Sequence, residues 1–344
     1  MRRSRGWRRA AGAAVPLACV LLATGCSSSK SGGDDLQVVA NPVAATAPLS
    51  PAPAVPAAGT VLSLSAANVG TGVTSMATDQ ANRVLAVAGG DKVLLYRLDD
   101  VNAAPVQIAV GGPVEQLSAG NGAVLAGIPA RGEIARIALP GGAVTTVAVP
   151  GQPAEAVAEG TRTLVAVRDR KAIDVLDGGK VAKSVTGGLY SADEIVRTPD
   201  GTVVLDRLRT AVFSVDLDGG TIGEGLRAGE GATNAVSDSY GRVLVTDTRG
   251  GALLAFSTSP LLLRQLYPVP GGIYAIAYDA KRDLAWVTLT ERNEVVGFDV
   301  RGGEPVEKYR FPSVRQPNSI SVDERTSRVF VGSGTGEGIQ VIQP

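Results

Sequence analysis

A short phrase, hydrophobic–x–x–hydrophobic with a β-rich run about eight residues later, recurs along the chain. Its anchors are Met76, Leu117, Val157, Ile195, Val236, Ile276 and Ile320. Successive anchors stand 41, 40, 38, 41, 40 and 44 residues apart. A period near 40 with several short strands per unit is the signature of a β-propeller, one blade per repeat. The reading is all-β: a seven-bladed β-propeller of four-stranded blades over residues 59–344. This overrides the two domains that the length of 344 residues would suggest. A fold of this kind hosts many activities, so it does not by itself name a ligand.

Each repeat carries further apolar runs after its anchor. Second strands are expected over 83–88, 123–128, 163–168, 202–207, 242–247, 284–289 and 328–333. Third strands are expected over 93–98, 133–139, 172–176, 211–217, 252–257, 294–300 and 339–342. They are rich in Val and Leu with partial period-two alternation, which suits strands sandwiched between neighbouring blades. Turn signals such as Gly89-Gly90-Asp91, Pro199-Asp200-Gly201 and Arg301-Gly302-Gly303 separate them. Fourth strands follow in six repeats, but the seventh stops at Pro344 with no room for one. Thr60-Val61-Leu62-Ser63-Leu64-Ser65 precedes the first anchor as a fourth strand would. Residues 60–66 are therefore expected to supply the outer strand of the last blade and so close the ring, leaving no open edge.

Before the repeats the chain reads as an address. Arg2, Arg3, Arg5, Arg8 and Arg9 precede an apolar stretch over 10–25, too short for a comfortable transmembrane helix. Leu22-Ala23-Thr24-Gly25-Cys26 then gives way to Ser27-Ser28-Ser29. A basic start, a short apolar core and small residues before a cut describe an export signal. The arginine pairs are compatible with twin-arginine export as well as the general route. With Cys26 directly after the small residues, the segment resembles a bacterial lipoprotein signal. The family usually has Leu where Ala23 stands, with Leu22 one step earlier here. That resemblance implies acylation of the Cys26 thiol, cleavage after residue 25, and palmitate-type chains that hold the protein on the membrane. Residues 26–58, rich in Ser, Gly, Ala and Pro, lack periodicity and read as the lipidated cysteine plus a disordered tether.

Composition then bounds the chemistry. The chain has no histidine, the commonest general base and metal ligand. Ser-His-Asp and Cys-His catalysis are thereby ruled out. Cys19 falls in the signal, so Cys26 alone would remain and no intramolecular disulfide could form. Removing residues 1–25 leaves 28 basic against 33 acidic side chains, a balance that argues against nucleic acid as partner.

Several repeats look like blades of NHL/YncE-like propellers. The best are Pro317-Asn318-Ser319-Ile320-Ser321-Val322-Asp323 with Arg328-Val329-Phe330-Val331-Gly332, and Ala235-Val236-Ser237-Asp238 with Gly241-Arg242-Val243-Leu244-Val245. With the signal, the Ala/Pro tether and the high Ala, Val and Gly usage, the whole chain resembles actinobacterial propeller lipoproteins of the LppL type. The resemblance implies a propeller lipid-anchored on the extracytoplasmic face of the cell membrane and brings no catalytic motif with it; a monomer is expected. Gluconolactonase-like propellers hold a divalent metal with Glu, Asn and Asp. Glu194, Asn234 and Asp206 exist here, but their spacing does not single them out.

Loops between second and third strands share a propeller face with the blade connectors. They carry Arg131, Arg168, Arg170, Arg207, Arg209, Arg249 and Arg292, and Arg315 sits on a connector. Arginine suits bidentate capture of carboxylate or phosphate, so these residues form a candidate anion-binding rim. Asp91, Asp169, Asp206, Asp247 and Glu291 share the loops, and the competing reading is a salt-bridged, solvated surface. The acidic pairs Asp99-Asp100 and Asp323-Glu324 both fall at turns. The function expected is a binding or scaffold module of the cell envelope, with a protein or glycan partner, no cofactor and no catalysis. The alternative is a carboxylate- and divalent-metal-dependent hydrolase or lactonase.

Overall fold

Runs of β-branched and leucine residues punctuated by glycine turns fold into strands throughout the computed structural model, which describes residues 40–64 and 72–344. The signal segment, Cys26 and the first part of the expected tether lie outside the described residues, as do residues 65–71. Strand β1 is Thr60–Leu62. One antiparallel sheet holds β2 (Ser75–Asp79), β3 (Val84–Gly89), β4 (Lys92–Arg97) and β5 (Val106–Ala109) in sequence order. The next holds β6 (Leu117–Gly120), β7 (Ala123–Ile128), β8 (Glu133–Ala138) and β9 (Val144–Ala148).

Then come β10 (Pro153–Glu159), β11 (Arg162–Val167), β12 (Ala172–Asp177) and β13 (Lys180–Thr186). They are followed by β14 (Glu194–Thr198), β15 (Gly201–Asp206), β16 (Ala211–Asp216) and β17 (Thr221–Arg227). These eight strands form one sheet in the order β10-β11-β12-β13-β17-β16-β15-β14. Two more four-stranded sheets hold β18 (Ala232–Ser237), β19 (Arg242–Asp247), β20 (Ala252–Thr258), β21 (Leu261–Pro268), and β22 (Ile273–Asp279), β23 (Leu284–Leu289), β24 (Glu294–Asp299), β25 (Val306–Pro312). The last combines β26 (Pro317–Asp323), β27 (Arg328–Ser333) and β28 (Ile339–Ile342) with β1.

This arrangement corrects the expectation of seven separate four-stranded blades. Five four-stranded blades stand alone, and the remaining strands make a single eight-stranded sheet. The physical cause is a parallel pairing of Thr186 on β13 with Thr221 on β17, which joins two outer edges. Hydrophobic periodicity reports which residues are buried but not whether two outer strands meet, so the junction has no sequence signal.

The innermost strands β2, β6, β10, β14, β18, β22 and β26 touch in cyclic order around a central axis. Burial follows distance from that axis. The second strands β3, β7 and β23 are buried at every position, because other sheets cover both of their faces. The outer strands β9 and β25 are largely exposed. Hydrophobic clusters fill the wedges between neighbouring sheets, for example Val84, Ala86 and Leu95 against Val124, Ala126 and Ile137. In the wedge around Trp286, its ring stacks on Tyr309 with centroids 5.5 Å apart.

The chain ends meet in one sheet. Thr60, Val61 and Leu62 pair antiparallel with Val341, Gln340 and Ile339. Gly338 makes the approach possible: at φ +121° a Cβ there would stand 2.2 Å from the Leu62 carbonyl oxygen. Between the same sheet and the β2–β5 sheet, Arg83 grips Asp323 through Nη1–Oδ1 at 2.5 Å and Nη2–Oδ2 at 2.7 Å. Three of the acids at turns thus hold arginines: Asp323 is fully buried in this clamp, Asp99 accepts from Arg83 and Arg325, and Asp100 pairs with Arg97.

Residues 40–58 take no regular secondary structure apart from bends, as their composition suggests, but they do not swing free. They lie as a strap against the sheets β18–β21, β22–β25 and β26–β28. The Val43 carbonyl accepts from Arg249 Nη2 at 2.7 Å, and Ala45 is buried against Gly231, where a Cβ would stand 2.8 Å from its own. Ser50 is buried and hydrogen-bonded to Gln316 and Thr290, and the Ala58 amide donates to the Pro312 carbonyl at 3.0 Å. The expectation of a disordered tether is corrected for these residues. Proline removes backbone donors and leaves carbonyls open, and the domain supplies the donors to meet them.

Candidate functional site

Two residues before each anchor stand Thr74, Glu115, Glu155, Asp193, Asn234, Tyr274 and Asn318, all polar or phenolic. Their places at the starts of the innermost strands bring them toward the axis. There a cavity of about 650 Å³ opens, lined by residues that include Thr74, Glu115, Gln116, Gln152, Arg207, Asn234, Tyr274 and Asn318. Pro113, Pro129 and Ala130 add an apolar shelf. The lining comes from connectors and second-to-third-strand loops, so the pocket lies on the propeller face that the sequence pattern assigns to the arginines.

Beneath the lining is a buried polar network. Arg207 donates through Nε to the Thr233 carbonyl at 2.6 Å and through Nη2 to Glu194. Glu194 also accepts from Gln116 Nε2 at 3.2 Å and from the Ala235 amide at 2.7 Å. Glu155 accepts the Ile195 amide at 2.6 Å. These carboxylates therefore stitch one innermost strand to the next. Burial, then the charge of Glu194, pushes the Glu155 carboxyl up to about 8. Burial raises Glu194 too, against the pull of Arg207. Burial works against the charged form of Arg207, but Glu194 and Asp193 outweigh it and hold the guanidinium above its ordinary value.

The predicted arginines go to different places. Arg168 and Arg207 come together, because Asp193 accepts Arg168 Nε at 2.7 Å and the Arg207 amide at 2.9 Å. Arg168 also holds Glu115. Arg170 pairs with buried Asp174 at 2.7 Å and with Ser184 at 3.0 Å. Arg209 is buried, donates to the Gly188 carbonyl, and lies 5.0 Å from the Tyr190 ring centroid and 5.2 Å from that of Phe213. Arg131, exposed at the end of the 3-10 turn Pro129–Arg131, reaches Glu133 at 2.8 Å. Arg249 holds the strap, and Arg292 folds over Gly271. Of the rim arginines, Arg207 alone lines the pocket.

Glu194 and Asn234, which their spacing does not single out, converge on Arg207, with Asn234 Oδ1 3.5 Å from its Nη2. Asp206 is elsewhere employed, accepting the Tyr190 and Arg209 amides at 2.6 and 2.9 Å. Among the described residues no group of three acidic side chains stands at metal-ligating spacing. Gln116, Gln152, Tyr274 and Asn318 were missed as site residues. The signal that could have found most of the polar lining is the polar residue two before each anchor: Thr74, Glu115, Asn234, Tyr274 and Asn318 line the cavity.

Chemically, the pocket offers carboxamide donors and acceptors, a hydroxyl and a tyrosine beside prolines. Its one acid, Glu115, is paired with Arg168, and its one arginine, Arg207, with Glu194. Such a surface suits an uncharged hydrogen-bonding ligand better than it suits proton transfer.

The fold and this axial pocket define a β-propeller protein. No family model matches the chain, and no curated protein matches it. Solved structures do. A chain of Kuenenia stuttgartiensis hydrazine synthase is similar with a TM-score of 0.68 at 13% identity, covering 80% of this chain and 96% of that one. Virginiamycin B lyase from Staphylococcus aureus gives 0.67 at 15% identity, covering 82% and 99%. A chain of a mitotic checkpoint complex gives 0.68 at 10% identity, covering 90% and 96%. At such identities the likeness is one of fold, and it carries no chemistry from one protein to another.

Proposed function

We propose that this protein is a binding or scaffold module of the cell envelope, lipid-anchored through Cys26 on the extracytoplasmic face, which takes its partner on the pocket face of the propeller. The export signal, the position of Cys26 and the likeness to LppL-type lipoproteins support the anchoring. The observation that carries the binding role is the internal pairing of the pocket's charges. Arg207 is held by Glu194, the lining carboxylate Glu115 is held by Arg168, and Glu155, pushed up to about 8, is not among the lining residues. A carboxylate hydrolase needs such a group facing its substrate. The Gln152 carboxamide and the remaining donor and acceptor positions on Gln116, Asn234 and Asn318 fit a glycan or the amides of a polypeptide.

Two measurements test this. Cys26→Ala should abolish incorporation of labelled palmitate and release the protein from the membrane; continued labelling would refute the anchor. Affinity capture from detergent-solubilised envelope should lose its principal partner when Gln152→Trp fills the pocket. A partner retained at full yield by a folded Gln152→Trp protein would refute the site.

A further inference from the structure

The strap is held in an unusual way for a linker. Its side chains contribute little: Leu49 is 90% exposed, and Val43 is 69% exposed. Its backbone is read instead. Side-chain donors meet three carbonyls: Arg249 Nη2 to Val43 at 2.7 Å, Gln316 Nε2 to Pro48 at 2.9 Å, and Asn293 Nδ2 to Pro51 at 3.0 Å. Gln316 Oε1 accepts the Ser50 amide at 2.9 Å, so one carboxamide clamps the chain from both sides. The single well-buried polar side chain is Ser50, 5% exposed; its hydroxyl donates to the Thr290 carbonyl at 2.6 Å and accepts the Gln316 amide at 3.0 Å.

This pattern defines what the groove recognises. An extended proline-rich chain has no internal hydrogen bonds, few amide donors and many bare carbonyls. The groove presents amide and guanidinium donors to those carbonyls, one acceptor to the amide between the prolines, and a small polar niche for a hydroxyl. It is also continuous with the pocket, because Gln316 Nε2 donates to Asn318 Oδ1 at 3.0 Å and Asn318 lines the cavity. Contacts of this kind do not depend on the occupant being covalently attached.

We propose that the pocket face contains a binding groove for extended proline-rich peptides with a hydroxyl residue before a proline, and that residues 43–51 are its occupant in cis. A partner segment of the same chemistry binds there by displacing the strap. This rests on the pocket face being the binding face, and it names the partner class. Covalent attachment gives the strap an effective concentration on the order of millimolar, so a free peptide competes poorly until the strap is weakened.

The test uses the full acylated chain in detergent micelles and a fluorescent peptide copying residues 46–53. Ser50→Glu places a charge in the niche and frees the strap. Fluorescence anisotropy should show the peptide binding the Ser50→Glu protein at least about tenfold more tightly than the wild type. Adding Gln316→Ala should remove that gain. A peptide with alanine in place of the serine should bind about tenfold more weakly, since two hydrogen bonds are lost. Equal affinity for wild type and Ser50→Glu, with amide exchange showing residues 43–51 released, would overturn the proposal. If circular dichroism shows Ser50→Glu unfolded, a photoreactive version of the peptide on the wild type decides. Adducts at the segment 290–293 or at Gln316 support the groove, and their absence at millimolar peptide overturns it. An envelope partner captured through Gln152 that excess peptide fails to displace would overturn the peptide class while leaving the binding role standing.

Discussion

Burying Glu155 beneath the pocket makes the fold sensitive to pH. Its carboxyl rises from 4.5 to about 8 because the charged form loses solvation and faces Glu194. Between those values the folded chain keeps a proton that the unfolded chain has released. Stability from this group is therefore full below about 4.5 and declines as pH rises toward 8. Glu155→Gln keeps an acceptor for the Ile195 amide and removes the titration. Urea denaturation from pH 5 to 9 should show the variant gaining on the wild type as pH rises, by a few kcal/mol at the top; parallel curves would contradict this. Asp323 works in the opposite sense. Its burial favours the neutral form, but the hydrogen bonds from Arg83, Thr326 and Arg328 win and hold it below the carboxylate range. It stabilises the fold above a pH of about 4, and that contribution is lost as pH falls further. Asp323→Ala leaves Arg83 and Arg328 without their buried partner and should cost about 3 kcal/mol at neutral pH. At this scale the sequence was only partly legible. The polar residue two before each anchor was visible as a pattern. Which carboxylates would be buried together was not, since that depends on neighbouring strands about 40 residues apart.

At the scale of elements, the strands were well marked. The expected second strands over 123–128, 242–247, 284–289 and 328–333 match β7, β19, β23 and β27 residue for residue. Apolar runs bounded by glycine turns leave little freedom there. The strap was not legible, because proline- and alanine-rich sequence looks the same free or bound. Its recognition lies in the donors of the domain and not in its own pattern. Two consequences follow from the join of the ends. Gly338→Ala places a methyl group against the Leu62 carbonyl and should lower the melting temperature by several degrees, as expected for a loss of about 1–3 kcal/mol. An unchanged melting temperature would mean that β1 contributes nothing to the closure. Gln316→Ala should raise amide exchange in residues 43–51 while leaving that of β23 as it was, and uniform exchange across both would contradict the clamp.

For the whole molecule, repetition told of a propeller, and similarity to solved propellers at 10–15% identity agrees with it. Repetition did not tell how the outer edges meet, and one parallel pair of threonines turns two sets of four strands into an eight-stranded sheet. The pocket exists only because the innermost strands meet around the axis, so its lining is drawn from every sheet. The strap crosses the same face, which concentrates the recognition features on one side of the molecule. The central claim is that this face carries the partner. Photocrosslinking in intact cells tests it most directly, with a benzophenone side chain placed either at Gln152 on the pocket or at Thr145 on the exposed strand β9. Discrete adducts in the membrane fraction from position 152 and none from position 145 are predicted. Adducts from position 145 with none from position 152 would contradict it.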